Sequence, residues 1–103
     1  MPGSLINTDS VIGKNCIINC NSSIDHDCVI KDHTHICPGV IIGGNVTVGK
    51  NSWIGLGSKI IQNCVIGDNV FVAAGSVVIK NIKSNSFVKG VPAKYDKKKL
   101  AKF

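Results

Sequence analysis

Arginine is missing from this sequence: all 12 basic residues are lysines. The guanidinium fork is the usual means of reading base edges and gripping phosphate in a bidentate way. Its absence, with aromatics at only 5%, argues against a nucleic-acid partner. The five cysteines, Cys16, Cys20, Cys28, Cys37 and Cys64, are odd in number and form no C-x-x-C pair. A reduced, cytoplasmic protein is the simplest expectation. No apolar run is long enough to span a bilayer and no signal-peptide pattern is visible, so no membrane partner is expected. At 103 residues there is room for one domain and no second sizeable core.

What is present is a six-residue beat. Ile6, Ile12, Ile18, Ile24, Ile30, Ile36, Ile42, Val48, Ile54, Ile60, Ile66, Val72 and Val78 follow one another at strict intervals of six. The fourth residue after each is small or β-branched, from Ser10 and Cys16 through to Ser76 and Ile82. Cys16, Cys28 and Cys64 fall in this slot, a packing role. The residue before it tolerates left-handed backbone: Asp9, Asn15, Asn21, Asp27, Gly39, Asn45, Asn51, Gly57, Asn63, Asn69, Gly75 and Asn81, with His33 the one departure. A fixed short period signals a solenoid. One hexad is a short strand plus a corner, three make a triangular coil, and thirteen predict an all-β parallel solenoid of a little over four coils.

Residues 18 apart then touch between coils about 4.8 Å apart. One corner stacks Lys14, Asp32, Lys50 and Asp68, a ladder of alternating charge. A second stacks Cys20, Pro38, Leu56 and Ala74, apolar and smooth. The third stacks Thr8, His26, Gly44, Gln62 and Lys80, flanked by Asp27, and alone has reactive chemistry. Two outward columns, Ile17, His35, Trp53, Phe71 and Val11, Val29, Thr47, Val65, are apolar enough to mark a partner surface. After Ile82 the beat stops. Lys83 to Ser86 reads as a turn and 87–94 as a last extended piece. The repeat domain is taken as 1–94, and 95–103 as a Lys-rich tail or short capping helix from Tyr95 onward. Eight of the 12 lysines lie between Lys80 and Lys102. Two readings stand for them: contact with a phosphorylated small molecule, or a solvated basic tail.

The run NCNSSIDHDCVIKDHTHICPG, then GGNVTVGKNSWIGLGS and the exit FVKGVPAK, resembles the left-handed parallel β-helix (hexapeptide-repeat) acyltransferases, and among them the sialic acid O-acetyltransferase (NeuD-like) group. The handedness comes from this resemblance. The resemblance implies an acetyl-CoA-dependent acetyltransferase acting on an amine or hydroxyl of a sugar or nucleotide-sugar. It implies a homotrimer with each site between subunits. His26 matches the general base, and Asp27 the acidic neighbour that strengthens it. Asn19 matches a residue lining the acceptor site, and His35 one touching acetyl-CoA from the adjacent subunit. Gly44 matches the amide facing the thioester carbonyl; Leu56 and Ala74 match positions along the pantetheine arm. Lys80, Lys89 and Lys94 are the candidates for the phosphates of CoA. Members of the group usually carry an N-terminal βαβ domain that holds the acceptor's nucleotide. The chain as given has none, so a fragment and a stand-alone form with another acceptor both stay open.

Two other classes compete. His26, His33 and His35 invite a metal site, as in a carbonic anhydrase class of similar solenoids. A zinc site needs three or four converging ligands, and His26 falls on a different part of the triangle from the other two, so no metal is expected. A structural or ice-binding solenoid would need regular outward threonines, and only Thr8, Thr34 and Thr47 exist.

Overall fold

The computed structural model describes residues 3–96. It contains fifteen strands and, among the described residues, no helix. Thirteen two-residue strands repeat from β1 (Leu5–Ile6), β2 (Val11–Ile12) and β3 (Ile17–Ile18) to β13 (Val77–Val78). They sort by threes into parallel sheets: a first of β1, β4, β7, β10 and β13, a second of β2, β5, β8 and β11, and a third led by β3, β6, β9 and β12. Register is 18 throughout these strands, as in Ile24↔Ile42, Ile30↔Val48 and Ile36↔Ile54.

From β2 to β13 the first residue of each strand faces out and the second faces in. Ile24, Ile30, Ile36, Ile42, Ile54, Ile60 and Ile66 are essentially fully buried in one continuous core. The corners close because one residue in each takes a left-handed conformation. Asp9, Asn15, Asn21, Asp27, His33, Asn45, Asn51, Asn63 and Asn69 have φ between 54° and 65°, and Gly39, Gly57 and Gly75 between 68° and 73°. That twist aims the residue's N–H at the coil below: Asn45 N donates to His26 O at 2.9 Å, Asn51 to Asp32 O at 3.0 Å and Gly57 to Pro38 O at 3.0 Å.

The fourth slot does more than fill space. Its hydroxyls and thiols donate to a carbonyl of the coil above: Ser10 Oγ to Asp25 O (2.7 Å), Thr34 Oγ1 to Gly49 O (2.6 Å), Cys28 Sγ to Gly43 O (3.2 Å) and Ser58 Oγ to Ala73 O (3.0 Å). No buried side-chain nitrogen or oxygen among the described residues lacks a partner. The expected charge ladder is also a backbone device. Asp32 Oδ1 accepts from Lys14 N and Asp68 Oδ1 from Lys50 N, both at 2.8 Å. No Lys–Asp ion pair forms in that corner among the described residues.

The sequence reading fails above β13. The turn there is two residues short, so Ile82 bridges to Ile66 and not to Cys64. Asn81 is not left-handed; its side-chain Oδ1 accepts from Val65 N at 2.8 Å, and Asn85 takes the left-handed corner with φ 60°. The contraction brings β14 (Phe87–Lys89) onto β12, with Phe71↔Phe87 and Val72↔Val88 in register, and completes about five coils instead of four. The last extended piece turns back at Gly90–Pro92 as a hairpin. β15 (Lys94–Tyr95) pairs antiparallel with β14, so Tyr95 is strand and not the start of a helix, and the unit runs past 94. The remainder of the expected helix, from Lys97, lies outside the described residues.

Burial separates neighbours in one strand: Ile42 is 1% exposed and Ile41 47%. Ile42→Ala is expected to cost about 2–5 kcal/mol through lost contacts and a cavity, and Ile41→Ala within about 0.5 kcal/mol. Equal shifts of the urea midpoint for the two would contradict the inward assignment.

Candidate functional site

His26 lies in the corner between β4 (Ser23–Ile24) and β5 (Val29–Ile30). Asp27 is that corner's left-handed residue, with φ 56°, and the turn it makes leaves both side chains 58% exposed. His26 Nδ1 lies 3.0 Å from Asp27 Oδ2. An ionised carboxylate only accepts, so Nδ1 carries the proton and the neutral ring keeps its lone pair on Nε2. A contact this exposed contributes little stability; its consequence is the tautomer.

The Nε2 end lies over Gly44. A Cβ built on Gly44 would stand 2.6 Å from His26 Nε2 and 2.8 Å from Cε1. The ring therefore occupies the space where any other residue would put its side chain. The Gly44 amide also differs from those of the two coils below it. One coil down, Asp25 Oδ1 caps His26 N at 2.7 Å, and below that Asn7 Oδ1 caps Thr8 N at 2.8 Å. The residue before Gly44 is Gly43, which has nothing to cap with, and the Gly44 N–H has no hydrogen-bond partner among the described residues. An open imidazole lone pair and an open backbone donor thus share one corner. A shallow depression beside them is lined by Asp25, Ile41, Gly43, Gly44, Lys59 and Gln62, among others.

His35 is elsewhere. It opens β6 (His35–Ile36) and faces outward from the third sheet, the side of the triangle opposite the His26 corner. Its ring packs tilted by 42° against Trp53, which begins β9 (Trp53–Ile54), with centroids 4.1 Å apart, and a stacked column runs on through Phe71 to Phe87 at 6.2 and 4.9 Å. Its Nε2 is 2.7 Å from Asn19 Nδ2. Burial pushes the His35 pKa down, because the charged ring loses water. His33, with φ 62°, is the left-handed residue of its corner and rims a shallow depression with His35 and Trp53. Among the described residues no three His, Cys, Asp or Glu side chains converge as metal ligands would.

Leu56 and Ala74 form an exposed corner above Pro38, and Gly57 and Gly75 beside them face open space. That corner continues into the hairpin loop, where Gly90 N donates to Ser76 Oγ at 3.2 Å. Lys89 and Lys94 are cross-strand partners there, and Lys89 Nζ lies 3.4 Å from Asp96 Oδ2. Lys80 does not join them; it sits in the turn after β13, on the His26 corner. Cys28, Cys37 and Cys64 are buried, and burial pushes the Cys37 and Cys64 thiols up. Sequence reasoning missed Phe87, hidden by the two-residue contraction, and Gly43, where the capping Asn7 and Asp25 of the two lower coils give way to residues that cannot cap, Gly43 and then Ile61 and Ile79. It also missed the Asn19–His35 contact, which spans 16 residues and not 18.

No curated protein sequence matches the chain closely. Among solved structures, one similar to it is GDP-perosamine N-acetyltransferase from Caulobacter crescentus, as a histidine-to-alanine variant in complex with CoA and GDP-perosamine. It shares 36% identity and a TM-score of 0.92, covering 93% of this chain and 46% of that one. The acetyltransferase domain of PglB from Neisseria gonorrhoeae, in complex with acetyl coenzyme A, is 30% identical with a TM-score of 0.79 over 92% of this chain and 52% of that one. Serine acetyltransferase from the same organism gives 27% identity and 0.80 over 84% of this chain and 38% of that one. The chain thus spans about half the length of the first two. The family described as bacterial transferase hexapeptide (six repeats) matches residues 9–44 and 45–80. With both stretches inside a five-coil parallel solenoid of the same left-handed type, the chain belongs to the bacterial hexapeptide transferase family.

Proposed function

We propose that this chain is the β-helical part of an acetyl-CoA-dependent acetyltransferase whose acceptor is an amine or hydroxyl of a sugar or nucleotide-linked sugar. The observation that carries this reading is the His26 corner: Nδ1 held by Asp27 at 3.0 Å, and Nε2 over the uncapped Gly44. The similar enzymes supply the cofactor class, since two are complexes with CoA or acetyl-CoA, and one holds an amino sugar linked to GDP. The narrower NeuD-like assignment stays part of the proposal.

The chemistry follows from the open ends of the two groups. An amine or hydroxyl attacking the thioester carbon must lose a proton, and His26 Nε2 takes it. Asp27 holds the ring and favours the imidazolium that forms. The Gly44 N–H donates to the oxyanion as it develops; one such donor is worth roughly 10²- to 10³-fold. The tetrahedral intermediate collapses with the CoA thiolate as leaving group, which takes up a proton. No covalent enzyme intermediate is involved. The Pro38, Leu56, Ala74 corner would hold the pantetheine arm, and Lys89 and Lys94 would meet the phosphates. Lys80 is set apart from that path by its place on the other corner.

The reading includes a homotrimer, supported by the outward Ile17, His35, Trp53, Phe71 column and by Val11 and Val65, 60% and 49% exposed. Closed cyclic symmetry buries one such surface in every copy. His26 of one copy then works beside His35 of the next. Light scattering should give three times the 10.9 kDa chain mass; a monomer at micromolar concentration would remove this part of the proposal.

His26→Ala should lower kcat about 10²-fold or more while CoA binding, read by calorimetry, survives. Asp27→Asn should cost less. Gly44→Ala should behave like His26→Ala, because its methyl displaces the ring. Alkylating the cysteines should leave turnover largely intact. Wild-type turnover in His26→Ala, or an acetyl-cysteine adduct by mass spectrometry, would refute the mechanism.

A further inference from the structure

His26 and His35 are each held through one ring nitrogen, but by partners of opposite character. Asp27 is an acceptor at His26 Nδ1. The group 2.7 Å from His35 Nε2 is the Asn19 side-chain nitrogen, and an amide nitrogen only donates. The ring nitrogen it meets must therefore present a lone pair, and the proton of the neutral ring must sit on Nδ1. We infer that Asn19 is a positioning residue that holds His35 as the Nδ1–H tautomer, so that His35 offers a hydrogen-bond donor and no free lone pair.

The rest of the site supports this. Asn19 is fixed by its backbone, since its N–H donates to Ile36 O at 2.9 Å and its carbonyl accepts from Ser4 Oγ at 2.7 Å and from Ser22 Oγ. The His35 ring is fixed by its packing against Trp53, tilted by 42° with centroids 4.1 Å apart. Burial keeps the ring neutral toward lower pH. Nδ1 has no partner among the described residues, so its N–H is available to an acceptor atom such as a carbonyl oxygen of a bound ligand. Both imidazoles then carry the proton on Nδ1, yet they expose opposite ends. His26 shows a lone pair and can take a proton. His35 shows an N–H and can only donate. That division of labour rests on the acetyltransferase reading; the tautomer does not.

The test needs neither cofactor nor acceptor. In the full chain labelled with ¹⁵N-histidine, long-range ¹⁵N–¹H correlation separates protonated from unprotonated ring nitrogens, and His35→Gln identifies the His35 signals. We expect wild-type His35 to show a protonated Nδ1 and a bare Nε2. Asn19→Asp, nearly the same shape but an acceptor, should reverse the pattern to a protonated Nε2, while the His26 and His33 signals stay in place and report an intact fold. A protonated Nε2 in the wild type, as a turned-over Asn19 amide would give, overturns the inference. So does an unchanged His35 pattern in folded Asn19→Asp. Should that variant not fold, the wild-type spectrum alone decides. An inactive protein with His35 as Nδ1–H would sink the acetyltransferase reading and leave this inference standing; an active one with Nε2–H would do the reverse.

Discussion

Every part of this molecule depends on one hydrogen bond repeated at each corner: the amide of a left-handed residue donating to the coil beneath. A β-strand of two residues cannot hold a sheet by itself. What holds these strands in register is that Asn45, Asn51 and Gly57, and their equivalents, are turned so that their amides point down the axis. The left-handed conformation costs an ordinary residue roughly 1–2 kcal/mol, and so the position is filled by Asn, Asp or Gly. His33 is the exception that pays more, and it holds the same geometry. The core is a consequence. Once the coils are locked about 4.8 Å apart, an Ile or Val every six residues must stack on itself.

The site uses that frame and departs from it at single positions. In the His26 column a capping side chain precedes the corner tip in the two lowest coils, Asn7 and then Asp25; from the third coil on, that position holds Gly43, Ile61 and Ile79, which cannot cap. Losing that cap costs the corner a hydrogen bond and releases the Gly44 amide. Losing the Cβ at Gly44 gives the His26 ring somewhere to lie. Neither change disturbs the ladder, because Asn45 and Asn63 still make their corner bonds at 2.9 and 3.0 Å. A solenoid can lose a local contact this way at small cost, since each coil is bonded to its neighbours through all three sides.

The lower coils were legible in the sequence because period and chemistry agreed there. Ile42 could only be inward, and a residue before the small slot could only be left-handed. Asn81 shows the limit. Asn suits a left-handed corner, but its side-chain oxygen can equally replace a missing backbone carbonyl, and it does so for Val65. Nothing in the letter distinguishes the two uses. That ambiguity hid the contraction, and with it the placement of Ile82, Phe87 and the fifth coil. The stacking rule failed in the same way for Asn19 and His35. Stacking by 18 finds neighbours along a column, whereas this pair reaches diagonally from a corner of one coil to a strand of the next. His26 over Gly44 is a pure column contact, and so it could be read.

The triangular section also decides what one copy can do alone. His26 projects from the vertex between the first and second sheets, and His35 from the outer face of the third, with the Ile and Val core between them. Turning a side chain cannot bring them together, and the ladder bonds leave no hinge by which the section could fold. Any chemistry that uses both rings must therefore take them from two copies. The apolar column that fixes His35, from Ile17 through Trp53 to Phe87, would be the surface that a second copy covers. The lowered pKa of His35 fits the same logic: covering the ring removes more water and disfavours its charged form further. Assembly would deepen the neutrality that a donor needs at His35, while His26 at its vertex is more than half exposed.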